Sequence, residues 1–138
     1  MKQILSACLL LAPALLAAAP PSAQQHKETP EMREQLKKDA ASLEAQITAA
    51  PPPGDPELYV KLGFTYARLE QADEAQKAFE NAVRLAPQKA VAHYMLGLIY
   101  EKKGLKEKAL AAWKACLENT ADPRMRDTAA KHIHHLSR

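Results

Sequence analysis

The chain of 138 residues repeats itself at a spacing of 34 residues. When the sequence is shifted by that amount, Leu62-Gly63 falls on Leu96-Gly97. The other matched pairs are Tyr66 with Tyr100, Ala75 with Ala109, Ala78 with Ala112 and Phe79 with Trp113. A repeat of this length holds one supersecondary unit, which cannot bury its apolar face alone and must stack on its neighbours. The sequence therefore predicts an array built from two stacked units, 56–89 and 90–123.

Both units are expected to be helical, because apolar residues recur at intervals of three and four and no segment alternates with period two. Thr29-Pro30, Asp55-Pro56 and Asp122-Pro123 each place a capping oxygen before a proline at the first helical position. Lys102-Lys103-Gly104 is a matching stop, with cations in the last turn and glycine after it. The predicted helices are 30–49, 56–69, 73–86, 89–103, 106–119 and 123–136.

The spacing resembles that of the tetratricopeptide repeat, in which an aromatic residue, Leu-Gly, Tyr, Ala, an aromatic, a small residue and Pro stand at fixed offsets. The first unit supplies these as Tyr59, Leu62, Gly63, Tyr66, Ala75, Phe79, Ala82 and Pro87. The sequence departs from the pattern at His93, Cys116 and Ala121 in the second unit, and at Glu70, which replaces a turn glycine in the first. The resemblance implies an all-α fold of antiparallel helix hairpins in a right-handed solenoid.

The ends of such an array need capping elements. The helix at 123–136 is the expected C-terminal cap of a repeat domain spanning 56–138. Residues 24–55 are expected to form an N-terminal helix and the stiff linker Pro51-Pro52-Pro53-Gly54. Ala41, Ala45 and Pro53 fit the second-helix positions of a degenerate preceding unit, although the residues upstream do not match its first helix.

Gly63 and Gly97 predict close packing between helices. A glycine inside a helix costs about 1 kcal/mol relative to alanine, so its presence at the same offset twice indicates a tight contact. The expected points of approach are Ala75 and Ala109. Cys116 is interpreted as a packing residue of the second unit.

The first 23 residues are typical of a secretory signal peptide. Lys2 gives a positive start, the segment from Ile4 to Ala19 has no charge, and small residues follow up to Ala23. Cleavage after Ala23 would leave Gln24 first and Cys116 as the only cysteine, which excludes an intramolecular disulfide. The resulting prediction is an exported protein of the bacterial periplasm, or a secreted one, with no membrane span after cleavage. An uncleaved membrane anchor is the alternative.

Composition argues against several functions. A net charge of +3 is too balanced for a typical nucleic-acid binder, and an aromatic content of 5% offers little surface for base stacking. The metal and nucleophile motifs of common enzymes are missing from the sequence, so neither enzymatic activity nor a cofactor is expected. His132 and His135 could share a helix face and are weak candidates for metal ligands.

The resemblance implies that the first helix of each unit lines a groove for a partner peptide or helix. Carried over position by position, the expected binding residues are Val60, Phe64, Arg68, Val91, Tyr94, Leu98, Glu101 and Lys102. Polar clamp residues are replaced here by apolar ones, which predicts an apolar groove. The alternative is that the chain's own N-terminal helix fills it.

The combined expectation is an exported adaptor that binds another protein, in envelope assembly or secretion. A self-associating structural subunit is the alternative. A metal or small-ligand binder acting through the C-terminal histidines is less favoured.

Overall fold

A computed structural model describes residues 28–138, which form helices connected by short turns and no strand. The predicted signal peptide, its cleavage after Ala23 and the segment from Gln24 to Lys27 lie outside the described residues. The helices are α1 (Pro30–Ala49), α2 (Pro56–Arg68), α3 (Ala72–Leu85), α4 (Ala90–Lys102), α5 (Lys106–Asn119) and α6 (Pro123–Leu136). Each lies within one residue of its predicted bounds, and the all-α architecture is confirmed.

Three helices begin at the predicted caps. Thr29 Oγ1 accepts from the amide of Met32 at 3.2 Å, and Asp55 Oδ1 accepts from Glu57 at 2.9 Å. Asp122 Oδ1 accepts from the amide of Arg124 at 2.8 Å. Each bond satisfies one of the amides that a helix start leaves without an intrahelical partner.

The two hairpin turns share one hydrogen-bond pattern. After α4, Leu105 donates to the carbonyl of Tyr100 at 2.8 Å and Gly104 donates to that of Glu101 at 2.9 Å. This is a Schellman motif, and it requires the left-handed backbone that Gly104 adopts at φ 71°. Glu70 takes the same place after α2 at φ 62°. The missing turn glycine therefore leaves the first hairpin intact but places a side chain in a strained conformation.

The helices pack with their neighbours along the chain. The closest associations are α2 with α3 and α4 with α5, and three-residue connections make each pair an antiparallel hairpin. A continuous core runs through the hairpins and reaches α6 through Ala129. Phe79, Trp113 and Cys116 are its largest fully buried side chains.

The glycines of the Leu-Gly steps lie against aromatic rings. A Cβ placed on Gly63 would lie 2.7 Å from the ring of Phe79, and one on Gly97 would lie 2.6 Å from that of Trp113. The prediction of a tight contact is thus confirmed, but the expected partners were wrong. The rings of α3 and α5, rather than Ala75 and Ala109, come nearest to the glycines.

The packing of α1 differs from the sequence interpretation in one respect. Ala41 and Ala45 are exposed, so the helix does not use the positions of a degenerate preceding unit. It packs instead through Ala40, in a small cluster with Leu62 of α2 and Ala78 of α3. The stripe at 36, 40, 43 and 47 has the spacing of one helix face and explains this orientation.

The last helix occupies the place of the first helix of a third unit. The residues 34 positions after Leu96, Gly97 and Tyr100 are Ala130, Lys131 and His134, and all three are exposed. Within residues 28–138, no helix packs against this side of α6 at those three positions. The polar outer face of α6 thus closes the array, as a terminal cap must.

Candidate functional site

The groove face is the surface formed by the exposed side chains of Phe64 on α2 and Leu98 on α4, with half-buried Val91 and Tyr94 beside them. Phe64 is 38% exposed and Leu98 is 37% exposed. The two residues occupy equivalent positions of successive units, one on α2 and the other on α4. The groove face is therefore an apolar surface built by stacking.

The core holds the groove face in place from beneath. The ring of Phe64 meets that of Phe79 edge to face, with centroids 5.3 Å apart, and Tyr94 meets Trp113 in the same way at 5.1 Å. Such pairs stabilise beyond their buried area and restrict the rings. The groove face therefore presents an ordered surface.

Val60 does not contribute to this surface. Its side chain is only 7% exposed and belongs to the core cluster, so it supports the groove from below. The repeat places it in the same position as Tyr94, whose larger ring reaches further out.

The N-terminal helix leaves the groove face open. α1 contacts the side of α2 that carries Leu62, and residues two apart on a helix point to nearly opposite sides. Phe64 thus lies away from α1. Helix α1 therefore does not cover Phe64, contrary to the alternative in which the N-terminal helix fills the groove.

A pocket of about 160 Å³ opens between the first hairpin, formed by α2 and α3, and α4, beside Leu98. Ala67, Ala75 and Ile99 are among its apolar lining residues. Lys102 and Glu70 also line the pocket and contribute charged groups. Ile99 was missed in the sequence because its counterpart in the first unit is Thr65, which gives no repeating apolar pattern.

Arg68 is already engaged by the chain itself. Its guanidinium donates from Nη2 to both carboxylate oxygens of Glu28, at 2.9 and 3.2 Å, and from Nε to Oε1 at 3.1 Å. Glu28 precedes α1 in the sequence, in a segment rich in acidic residues that is typical of a solvated helix start. Its position in the sequence therefore gives no indication of a contact with a residue 40 positions away.

Lys102 stands at the position equivalent to Arg68 in the second unit. Its side chain is exposed and forms no ion pair with any residue in the described range 28–138. The neighbouring Lys103 turns away to Asp73 at 2.7 Å. Lys102 therefore presents a cation at the edge of the pocket.

Glu101 links three helices and does not flank the groove as a free acid. Its Oε2 accepts from Trp113 Nε1 at 3.0 Å and lies 2.6 Å from His132 Nδ1. The imidazole of His132 stacks on the Trp113 ring with centroids 4.3 Å apart. These contacts fasten α6 to the second hairpin.

The histidines of α6 have no metal-binding arrangement around them. His132 and His135 line a shallow cleft with Glu101 and Lys131. Within residues 28–138, no group of three or more His, Cys, Asp or Glu side chains is placed to hold a metal ion. His132 uses Nδ1 toward Glu101, which gives it a structural role.

Cys116 is fully buried in the second hairpin, and burial raises the pKa of its thiol. The thiolate is the reactive form, so a raised pKa disfavours nucleophilic chemistry. Its environment agrees with a packing role.

Comparison with known protein families follows the same division of the chain. Residues 56–89 match one sequence model of the tetratricopeptide repeat, and residues 90–123 match a second. No curated protein sequence matches the chain. Within the described residues, none of the helices has both the length and the apolar character needed to cross a membrane. The repeats indicate a scaffold for protein–protein interaction, and the chain belongs to the tetratricopeptide repeat family.

Proposed function

We propose that this protein is an exported scaffold that binds another protein through the groove face and serves assembly or secretion in the cell envelope. The observation that carries the proposal is that Phe64 on α2 and Leu98 on α4, at equivalent positions of the two units, are both more than one third exposed. Contiguous exposed apolar side chains mark contact surfaces.

The geometry supports a segment laid across the two units. Phe64 and Leu98 supply large apolar contacts, and the pocket beside Leu98 can receive a side chain from the partner. Aromatic and large aliphatic anchors that enter pockets usually dominate binding energy. An amphipathic helix or an extended apolar peptide has the required shape.

Site-specific photocrosslinking tests this function. A photoreactive residue at position 98 of the full chain, expressed in its native host, is expected to yield a crosslinked partner. The matched control is position 105, because Leu105 is also 37% exposed but lies in the turn after α4. Equal crosslinking at both positions, or a product made only of two copies of this chain, would contradict the proposal.

A binding measurement with the partner so identified completes the test. Leu98→Glu is expected to weaken binding tenfold or more, because a carboxylate would be placed in the apolar contact. Leu105→Glu is expected to leave binding unchanged. Both substitutions are at exposed positions, so the helical circular dichroism should remain that of the parent.

Export is supported by the uncharged segment after Lys2 and the small residues that end at Ala23. N-terminal sequencing of the protein from its native host is expected to begin near Gln24. A product that keeps Met1 in the membrane fraction would contradict this part of the proposal and leave the binding role open to its own test.

A further inference from the structure

We propose that the groove selects a protein segment in which an apolar side chain is accompanied by a neighbouring Asp or Glu, with the apolar group in the pocket beside Leu98 and the carboxylate on Lys102. This inference rests on the proposed function, since it assigns the chemistry of the partner that the groove face would bind.

The Arg68–Glu28 pair shows which chemistry this position of the repeat accepts. Arg68 lies one helical turn beyond Phe64, and it holds the carboxylate of Glu28 through three hydrogen bonds. Glu28 precedes α1 and belongs to neither repeat unit. A carboxylate from outside the hairpins is thus bound next to the groove face of the first unit.

Lys102 occupies the position of the second unit that corresponds to Arg68, but no carboxylate of the described residues is bound to it. It lies one turn beyond Leu98, as Arg68 does beyond Phe64, because both pairs are related by the 34-residue shift. Glu70 lines the same pocket, but its Oε2 lies 3.5 Å from Arg33. Among residues 28–138 no carboxylate is supplied to Lys102, so a partner can supply one.

The pocket has the size of a single apolar side chain. Its volume of about 160 Å³ compares with the cavity of about 150 Å³ that accommodates a benzene molecule in a protein core. A leucine, methionine or phenylalanine side chain therefore fits between Ala67 and Ile99. Because Lys102 also lines this pocket, a carboxylate close to the inserted group is within reach of its ammonium.

The charge of the surrounding chain favours the same partner. Residues 90–138 carry nine Lys and Arg against five Asp and Glu, whereas residues 28–89 carry eight against eleven. The second unit and the cap helix thus form the positive half of the described protein. Complementary charge raises the association rate and discriminates against partners of the wrong sign.

The test uses three synthetic amphipathic peptides with the same leucine positions, flanked by glutamate, glutamine or lysine. Each is titrated against the full chain by fluorescence anisotropy at low and high salt. The glutamate peptide is expected to bind at least tenfold more tightly than the lysine peptide at low salt, with glutamine between them. The preference should shrink at high salt, because exposed charges are screened.

Charge reversal locates the selectivity. Lys102→Glu is expected to invert the order, so that the lysine peptide binds more tightly than the glutamate peptide. Lys106→Glu is the matched control, because Lys106 is exposed but does not line the pocket, and it should keep the parent's order. Both variants should melt near the parent temperature.

Several outcomes would overturn the inference: equal affinity for the three peptides, no binding of any, or an unchanged order in Lys102→Glu. If crosslinking at position 98 still captures a partner in those cases, the proposed function stands and only the carboxylate assignment fails.

Discussion

The ring of Trp113 lies flat against the backbone of Gly97, so that a Cβ on residue 97 would approach Cε2 to 2.6 Å. The same relation holds between Phe79 and Gly63, where the distance would be 2.7 Å. The repeated Leu-Gly step thus marks the places where an aromatic ring from the second helix of a hairpin touches the backbone of the first. Neither ring is exposed to solvent.

Gly97→Ala is expected to destabilise the fold. Alanine gains about 1 kcal/mol in helix propensity, but displacing the indole from a packed core costs about 1–3 kcal/mol. Urea denaturation followed by circular dichroism measures the difference. In a Trp113→Leu background the same substitution should become stabilising, because the ring is gone. Destabilisation of equal size in both backgrounds would show that the ring contact is not the cause.

Glu70→Gly is expected to stabilise the protein by about 1 kcal/mol, since left-handed backbone costs a side-chain-bearing residue roughly 1–2 kcal/mol. The lost ion pair with Arg33 is exposed and contributes little. Glu70→Ala is the control, because it removes the carboxylate and keeps the strained backbone. Thermal melts should rise for glycine only, and an equal rise for alanine would point to the charge instead.

Alkaline pH is expected to weaken the fold through Tyr66. Its hydroxyl donates to Glu44, and this bond, with some burial, raises the pKa from 10.0 to about 12. Burial and Glu80 also raise the pKa of Tyr100. When the pKa of a group is higher in the folded state than in the unfolded state, the group contributes its full stabilisation below the unfolded-state pKa. This contribution is lost as the pH rises through the folded-state pKa. The free energy of unfolding should therefore fall between about pH 10 and 12.

Tyr66→Phe isolates this effect. The variant should lose less stability than the parent over the same pH range, as measured by urea denaturation at several pH values. Tyr59→Phe is the control, since its hydroxyl makes no hydrogen bond to another side chain in the part of the chain that the structure describes. Parallel curves for parent and Tyr66→Phe would contradict the assignment.

Glu101→Ala is expected to cost about 1–3 kcal/mol, because the buried indole N–H of Trp113 loses its acceptor. Glu101→Gln should cost less, since an amide oxygen can still accept from Trp113. The fluorescence of the single tryptophan reports directly on this environment. Glu107→Ala, at an exposed position of α5, is the control and should leave both stability and emission unchanged.

The sequence predicted most of the fold because its information is local and repeated. Pro56 and Pro123 mark helix starts with their caps, and the shift of Leu62-Gly63 onto Leu96-Gly97 fixes the register of the hairpins. The orientation of α1 was harder to predict from the sequence. Ala41 with Ala45 and Leu36 with Ala40 lie on different faces of this helix, and either pair is compatible with packing against α2. Only contact with α2 decides between them.

The sequence assigned the candidate groove residues to the first helices of the two units, but it did not predict which of them are buried or engaged by other parts of the chain. Phe64 and Leu98 follow from the repeat, and their exposure agrees with a surface role. Val60 occupies the position equivalent to Tyr94 but is buried, because its shorter side chain does not reach past its neighbours. The engagement of Glu101 by His132 and of Arg68 by Glu28 depends on contacts distant in sequence, which no local pattern encodes.

The separate cluster of Ala40, Leu62 and Ala78 has a consequence for the solubility of the protein. If α1 were lost or detached, Leu62 and Ala78 would form an apolar step at the end of the array, while the core around Trp113 would stay intact. Such a step is the surface on which repeat units stack, so two hairpin ends bared in this way could adhere to each other. The first helix therefore covers an apolar surface on which a further hairpin could otherwise stack.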